Sequence, residues 1–279
     1  MDFINFKVGQ KMVAFKILDI LQTEKHDGKL TSLPNNTSSF MGVRDYANKP
    51  VPIFDLGIML NGVSTGLTNQ ELIKLLADRE EDHVTWFKTL RSTIEEGTPF
   101  TKACDPHECA FAQWYDSFQT DNEDFADLLK KFDAPHKQLH ALAGEVLELL
   151  ERDEKEQALK AFRREEHSSY ATLMRLFGVA KDQLALDYKP IIVFTTRDGI
   201  TPDIGLLVDK VEDSVDVEEQ DIHPMDDLAH LGFNMQAQTT RLVRGLIHHN
   251  NKHSLIMEPR AIVPDPAIIN QLSQLDAAG

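Results

Sequence analysis

Residues 133–151 read DAPHKQLHALAGEVLELLE, and this stretch decides how the middle of the chain folds. Asp133 is a good helix cap and Pro135 suits a first helical turn, so a helix is predicted to start here and run to about Glu151. Its inward stripe follows helical spacing and consists of His136, His140, Ala143 and Leu147. Because two histidines one turn apart can clamp one ion, the stripe indicates a metal site.

A helical pattern rich in Leu, Glu, Lys and Ala surrounds this stretch, from about residue 67 to residue 184. Its periodicity predicts an inserted antiparallel bundle of four helices. The first helix opens with a capping box formed by Thr68 and Glu71 and runs to about Glu95.

Two further helices complete the predicted bundle. After the break at residues 97–99, a short second helix carries Cys109. The fourth helix is predicted from about Asp153 to Phe177, and Gly178 is interpreted as its end.

Strand-like patterns lie on both sides of the bundle, at residues 1–64 and 187–265. The clearest runs are Met12–Phe15, Val51–Phe54, Ile191–Phe194, Ile204–Val208, Leu242–Ile247 and Ser254–Met257. Each flank alone is short for a stable core, whereas the two together reach a comfortable size. We therefore predict an α+β protein, with one split β domain, a helical bundle inserted at 67–184, and a closing helix and tail at 266–279.

Four residues in the bundle are candidate metal ligands: His83, Cys109, His136 and His140. Zinc takes neutral imidazole nitrogen and thiolate sulfur, and four protein ligands close the shell of a structural or regulatory site. The sequence therefore predicts one Zn²⁺ that cross-links several helices. A closed shell leaves no open position for hydrolysis, so we predict no enzyme activity.

Composition narrows the function further. The formal net charge of −16 argues against nucleic acid, because the phosphate backbone would repel so acidic a protein. Cys104 and Cys109 are the two cysteines, which is too few for a disulfide framework and favours a metal ligand or redox thiol. With no long apolar run and no signal-peptide pattern at Met1, we expect a cytoplasmic location without membrane insertion.

Two motifs in the flanks resemble the CheW-like family of chemotaxis coupling proteins. The first is Gly42-Val43 followed by VPIFDL at 51–56, and the second is GLLVDKV at 205–211. The resemblance covers about 3–64 and 187–265. It implies a pair of small intertwined β-barrels of the SH3 or OB type that bind chemoreceptor tips and a CheA-type histidine kinase. Apolar candidates for those contacts are Val43, Val51 and Ile53, although the simpler interpretation of each is a core strand residue.

The helical block resembles the chemoreceptor zinc-binding domain, abbreviated CZB. Three motifs match in order: HVTW at 83–86, CAFAQW at 109–114 and PHKQLH at 135–140. The resemblance implies a zinc ligand at each of the four candidate positions. One departure is Ala112, where the family commonly has glycine.

A second departure concerns the CheW-like loop that typically reads Asn-Leu-Arg-Gly. Here the loop is Asp45-Tyr46-Ala47-Asn48, so the expected arginine falls on Ala47, which cannot supply a fork of donors. Arg44 lies nearby and is the candidate to compensate. This departure points to a specialised adaptor rather than a main coupling protein.

These observations predict a signalling adaptor whose zinc-bound Cys109 thiolate senses an oxidant, such as hypochlorous acid, or senses zinc itself. Cys104 is a candidate to resolve an oxidised Cys109 as a disulfide. The main alternative is a purely structural zinc site. A minor alternative is a di-metal carboxylate bundle bridged by Glu165 and Glu166. A homodimer is also compatible with the apolar helix faces.

Overall fold

The computed structural model describes residues 1–34, 37–120, 122–224, 241–249 and 252–276. The chain divides into two compact units. One consists of Met1–Thr68 with Asp187–Gly279 and is called the β unit below. The other, Asn69–Leu186, is called the helical unit.

The β unit has a strand at each of the six runs predicted from the sequence, and further strands beside them. The strands are β1 (Asp2–Val8), β2 (Lys11–Lys16), β3 (Ile20–Lys25), β4 (Phe40–Tyr46), β5 (Lys49–Asp55), β6 (Ile191–Thr196), β7 (Pro202–Val208), β8 (Lys210–Asp216), β9 (Ile222–Pro224), β10 (Val243–His249) and β11 (Lys252–Met257). A short helix, α1 (Leu56–Asn61), follows β5. The predicted closing helix is present at Pro266–Asp276.

The strands form two sheets that each draw on both flanks of the insertion. A six-stranded sheet has the order β8-β1-β2-β11-β10-β9, and a five-stranded sheet has the order β3-β6-β7-β5-β4. The parallel pairs β2–β11 and β5–β7 join the flanks within each sheet. The predicted α+β class is confirmed, and the shared sheets explain why neither flank has the pattern of a complete domain.

Three apolar residues proposed as surface contacts lie in the core instead. Val43, Val51 and Ile53 are 4%, 2% and 0% exposed. Val43 packs in the large cluster of the β unit, and the other two pack in a smaller cluster beside Phe194. The hypothesis that they are core residues is therefore correct for all three, and the hypothesis that they form surface contacts is wrong, because the hydrophobic clusters of the β unit bury their side chains.

The turn from β5 into α1 was not predicted by the strand pattern. Asp55 ends β5 and caps the helix, since its Oδ1 accepts a hydrogen bond from the Ile58 N–H at 3.1 Å. The helix closes at Gly62, whose φ of +78° is a left-handed conformation that suits glycine.

Six helices account for the insertion. They are α2 (Thr65–Glu96), α3 (Ala110–Tyr115), α4 (Glu123–Lys130), α5 (Asp133–Glu151), α6 (Lys155–Glu165) and α7 (Ala171–Asp187), and the closing helix at 266–276 is α8. A π-helical segment, Glu166–Tyr170, joins α6 to α7. Across the described residues, every helix is too short or too polar to cross a membrane.

The helix boundaries differ from the sequence prediction at two points. Helix α2 begins at Thr65, and Thr68 lies inside it, with both its N–H and its hydroxyl donating to the Ser64 carbonyl. The predicted capping box is therefore wrong. Gly178 does not end a helix, because α7 continues to Asp187 and keeps burying apolar side chains such as Leu184.

The region between the second and third predicted helices holds an additional short helix. Helix α4 is capped by Asn122, whose Oδ1 accepts a hydrogen bond from the Phe125 N–H at 3.1 Å. It buries Phe125, Leu128 and Leu129 in the core of the helical unit. The core also receives side chains from α2, α3, α5, α6 and α7.

Candidate metal centre

Three helical elements bring the four candidate ligands together. His83 lies on α2, Cys109 directly precedes α3, and His136 and His140 lie on α5. One ligand atom from each residue lies within 4.8 Å of all the others. The three histidines are 3%, 5% and 1% exposed, whereas Cys109 is partly exposed.

Local backbone structure positions Cys109. A short turn of 3-10 helix at Pro106–Glu108 precedes it, and Cys109 is the N-cap of α3. Its Sγ accepts a hydrogen bond from the Ala112 N–H at 3.4 Å. Ala112, where the resembling family commonly has glycine, is therefore compatible with the cap, because the contact uses only its backbone.

Hydrogen bonds fix the orientation of two imidazoles. His83 donates from Nδ1 to the Arg79 carbonyl at 2.7 Å, and His140 donates from Nδ1 to the Ala103 carbonyl at 3.1 Å. A ring nitrogen that faces a carbonyl must carry the proton, so Nε2 is the acceptor in each ring. Both Nε2 atoms are buried and have no hydrogen-bond partner. A buried acceptor without a donor is costly, so these atoms fit a metal ion.

The other two ligand atoms lie close to each other. His136 Nε2 is 3.1 Å from Cys109 Sγ. Together the cluster offers three imidazole nitrogens and one sulfur, which is the donor set and the number that zinc takes in a closed tetrahedral site.

Burial keeps the imidazoles in the form that binds metals. Burial, followed by the neighbouring His140 and His83, lowers the pKa of His136 to about 3. Burial likewise lowers the pKa of His140 to about 4, and lowers that of His83. All three are therefore neutral at pH 7. Burial raises the pKa of Cys109, so binding of a metal ion must displace a thiol proton.

Aromatic rings surround the ligands. The Phe111 ring lies 5.9 Å from the His83 ring and 5.0 Å from the His136 ring, measured between centroids. Trp86 lies 5.1 Å from the His140 ring. This apolar shell restricts water and holds the imidazoles in place.

One contributor to the site has no side-chain signal in the sequence. The carbonyl oxygen of Ala103 accepts hydrogen bonds from both His140 and Trp86, the latter from Nε1 at 2.8 Å. Trp86 belongs to a motif that the sequence singles out, but the partner of its indole N–H is a backbone atom. This partner can be identified only from the three-dimensional position of the loop before Cys109.

The carboxylates needed for a di-metal site are engaged elsewhere. Glu165 accepts hydrogen bonds from Ser168 and Ser169, at 2.9 and 2.6 Å, and from Arg164. Glu166 lies 3.5 Å from Arg91. Within the described residues, the metal-suited cluster contains no carboxylate, which argues against the di-metal alternative.

Cys104 is exposed and is not a member of the cluster. Its thiol lies 3.9 Å from the Lys102 carbonyl. Burial also raises its pKa, so this thiol is not activated by its surroundings.

The loop that departs from the CheW-like pattern is a tight hairpin turn between β4 and β5. Its two central residues, Ala47 and Asn48, have φ values of +51° and +63°, as a type I′ turn requires. Arg44 is held by the carboxylates of Glu24 and Asp27. Because these ion pairs occupy the guanidinium, they do not favour the hypothesis that Arg44 makes the partner contacts expected of the arginine replaced by Ala47.

Comparison with known proteins agrees with the sequence interpretation of the helical unit. Residues 83–147 match the family model of the chemoreceptor zinc-binding domain, a range that contains all four candidate ligands. Among solved structures, the chain is similar to the scaffolding protein TtCheW from Thermoanaerobacter tengcongensis, with 11% sequence identity and a TM-score of 0.41 over 92% of this chain and 88% of that one. No curated protein matches the sequence. The resemblance of the helical block to the chemoreceptor zinc-binding domain is thus confirmed, and zinc is the metal indicated by both the family and the donor set.

Proposed function

We propose that this protein is a non-catalytic chemotaxis adaptor in which His83, Cys109, His136 and His140 hold one Zn²⁺. The β unit couples chemoreceptors to a CheA-type kinase, and the zinc site makes that coupling respond to oxidant or to zinc supply. The proposal of a zinc site is supported mainly by one observation: four ligand atoms from buried or partly buried residues lie within 4.8 Å of one another.

Residues of the CheW-like motifs have structural roles in the β unit. A side chain at Gly42 would place its Cβ 2.6 Å from the Thr31 carbonyl oxygen, and one at Gly205 would lie 2.4 Å from Ile53 Cδ1. The Asp209 carboxylate accepts a 2.6 Å hydrogen bond from the Gly9 N–H. These contacts give the motif residues structural roles, and we therefore assign partner binding to other residues of the β unit.

Zinc is itself redox-inactive, and it would contribute by holding the Cys109 sulfur as a thiolate, the form that oxidants attack, at neutral pH. The thiolate attacks the chlorine of hypochlorous acid, so that an S–Cl bond forms, the O–Cl bond breaks and hydroxide leaves. Water then converts the sulfenyl chloride to sulfenic acid and releases chloride and a proton. A sulfenic acid is a poorer ligand than a thiolate, so oxidation would weaken the site. The partial exposure of Cys109 supports access by a small oxidant.

The metal content of the untagged chain tests the site. Elemental mass spectrometry should find one zinc per chain after loose ions are removed, and Cys109→Ala should retain much less. The matched control is Cys104→Ala, which removes the exposed thiol outside the cluster and should keep its zinc. Absence of zinc from the parent chain, or iron at two per chain, would refute the proposal.

A purely structural zinc site is the rival function, and an oxidant titration separates the two. In the sensor, hypochlorous acid modifies Cys109 and releases zinc to a colorimetric chelator, in the parent and in Cys104→Ala alike. Peptide mass spectrometry identifies the modified thiol. If the zinc stays bound and Cys109 stays unmodified at oxidant levels that modify Cys104, the site is structural.

Partner binding is tested separately with purified chemoreceptor tips and the regulatory domain of a CheA-type kinase. We expect the zinc-loaded chain to bind at least one of them, and we expect oxidised or zinc-free chain to bind with a different affinity. Sedimentation of the loaded chain, run alongside, measures whether it forms a homodimer.

A further inference from the structure

We propose that a cavity beside the cluster is the route by which the metal ion reaches the site, with Glu81 and Asp82 attracting the ion and His136 completing the shell last. This inference rests on the proposed four-ligand site and adds how that site is loaded.

The cavity opens onto three of the four ligands. It has a volume of about 280 Å³, and His83, Cys109 and His140 all line it. His136 is not among the described residues that line it. An ion in this cavity therefore meets three ligands before the fourth.

Packed rings border the cluster behind the cavity wall, to which Phe111 contributes. Phe111, Phe132 and Phe177 are at most 2% exposed, and their rings are in mutual contact. Phe111 and Phe177 also contact the His83 ring. Because protein interiors are close-packed, a hydrated ion cannot pass between these rings without large rearrangement.

The open side of the cavity carries charge of both signs. Glu81 and Asp82 are exposed carboxylates of α2 that line it, and Lys102 lines it as well. Asp82 is 3.2 Å from Arg79, which offsets part of its charge. Carboxylates focus a field that raises the local concentration of cations, and their oxygens are ligands that zinc accepts while it sheds water. Lys102 opposes this attraction.

The position of His136 sets the order of coordination. Its Nε2 lies 3.1 Å from Cys109 Sγ, but among the described residues His136 does not line the cavity. An ion that enters through the cavity therefore reaches the cysteine sulfur before it reaches this nitrogen. Loading therefore has two steps, a charge-dependent capture by the three cavity ligands and a closure by His136.

The test is the rate of Co²⁺ uptake by chelator-treated full-length chain, followed by stopped-flow absorbance of the tetrahedral cobalt site. Glu81→Gln combined with Asp82→Asn should lower the association rate constant about 3- to 10-fold at low salt, and the difference should shrink at high salt. Lys102→Gln should raise it. His136→Ala should take up the ion at the parental rate but release it faster.

The matched control is Glu95→Gln combined with Glu96→Gln. It makes the same change of charge on the same helix, about 18 Å or more from His83 at the rise of an α-helix. Its effect on uptake should therefore be smaller than that of the cavity pair at low salt, and negligible at 0.1 M salt, where the screening length is about 10 Å. Far-ultraviolet circular dichroism verifies that each variant is folded.

Three results would overturn the inference: equal slowing in the control pair, an uptake rate that does not depend on metal concentration because local unfolding limits it, or slower uptake by His136→Ala. Failure of the parent chain to bind cobalt or zinc would instead refute the proposed site itself.

Discussion

Trp86 and His140 donate hydrogen bonds to one and the same acceptor, the carbonyl oxygen of Ala103, at 2.8 and 3.1 Å. The Trp86 indole therefore holds the Ala103 carbonyl in place, and this carbonyl in turn orients the His140 imidazole. Groups that orient a ligand through its second ring nitrogen tune metal affinity, and their removal typically costs about 10- to 100-fold in affinity.

We predict that Trp86→Phe weakens zinc binding about 10-fold, because it keeps an aromatic ring in the core but removes the N–H that holds the Ala103 carbonyl. Competition with a chelator of known affinity measures the effect. Trp114→Phe is the control, since Trp114 packs against Phe118 and Phe111 and does not contact His140. Equal zinc affinity in the two variants would show that the shared carbonyl does not position the ligand.

The pH dependence of the zinc-free chain follows from the buried histidines. The pKa is about 3 for His136 and about 4 for His140 in the folded chain, against an ordinary value of 6.5. Between these values the unfolded chain binds more protons than the folded chain, so stability falls as the pH falls below 6.5.

We expect the free energy of unfolding of the helical unit in chelator to be nearly constant from pH 8 to about pH 7 and to decrease between about pH 6.5 and pH 4. Urea titrations followed by circular dichroism measure it. His136→Asn combined with His140→Asn should flatten the profile in this window. An unchanged slope in the double variant would mean that other groups cause the loss.

Helix α5 and its two histidines could be predicted because the signals are local. Pro135 fixes where the helix can begin, and the four-residue spacing of His136 and His140 puts both rings on one face. The convergence of His83 and Cys109 on them depends on the packing of other helices. For that step, the sequence offered motif resemblance rather than geometry.

Other features were decided by tertiary contacts that no local pattern encodes. Glycine is a common residue at helix ends, but α7 continues through Gly178 because its buried stripe extends to Leu184. The local pattern of β4 and β5 does not show whether Val43 and Val51 face the core or the solvent, and tertiary packing buries both. Ala103 acts through its backbone carbonyl oxygen. Every residue has this group, so the residue type at position 103 does not predict the role.

The hairpin turn at Ala47 offers a test in the β unit. Left-handed backbone costs a non-glycine residue about 1 to 2 kcal/mol, and Ala47 has a φ of +51°. Ala47→Gly removes that cost but increases the conformational entropy of the unfolded chain, which opposes folding. We therefore predict a net stabilisation of up to about 1 kcal/mol. Denaturant unfolding measures it. Ala14→Gly, in the regular strand β2, should destabilise instead.

Gly42 gives the sharpest test of why the CheW-like motif begins with glycine. Its φ is +133°, and a Cβ there would lie 2.6 Å from the Thr31 carbonyl oxygen, which is backbone in a bridged pair and cannot easily move. Gly28 also has a positive φ, +79°, but a Cβ there would meet nothing within 4 Å. The two positions therefore separate conformational strain from steric clash.

We predict that Gly28→Ala costs about 1 kcal/mol through strain alone, whereas Gly42→Ala costs about 3 kcal/mol because the clash adds to the strain. Urea unfolding of the zinc-loaded chain measures both. A similar cost at the two positions would mean that the bridge between Thr31 and Val43 yields to the added methyl group. In that case the motif glycine would be explained by backbone conformation alone.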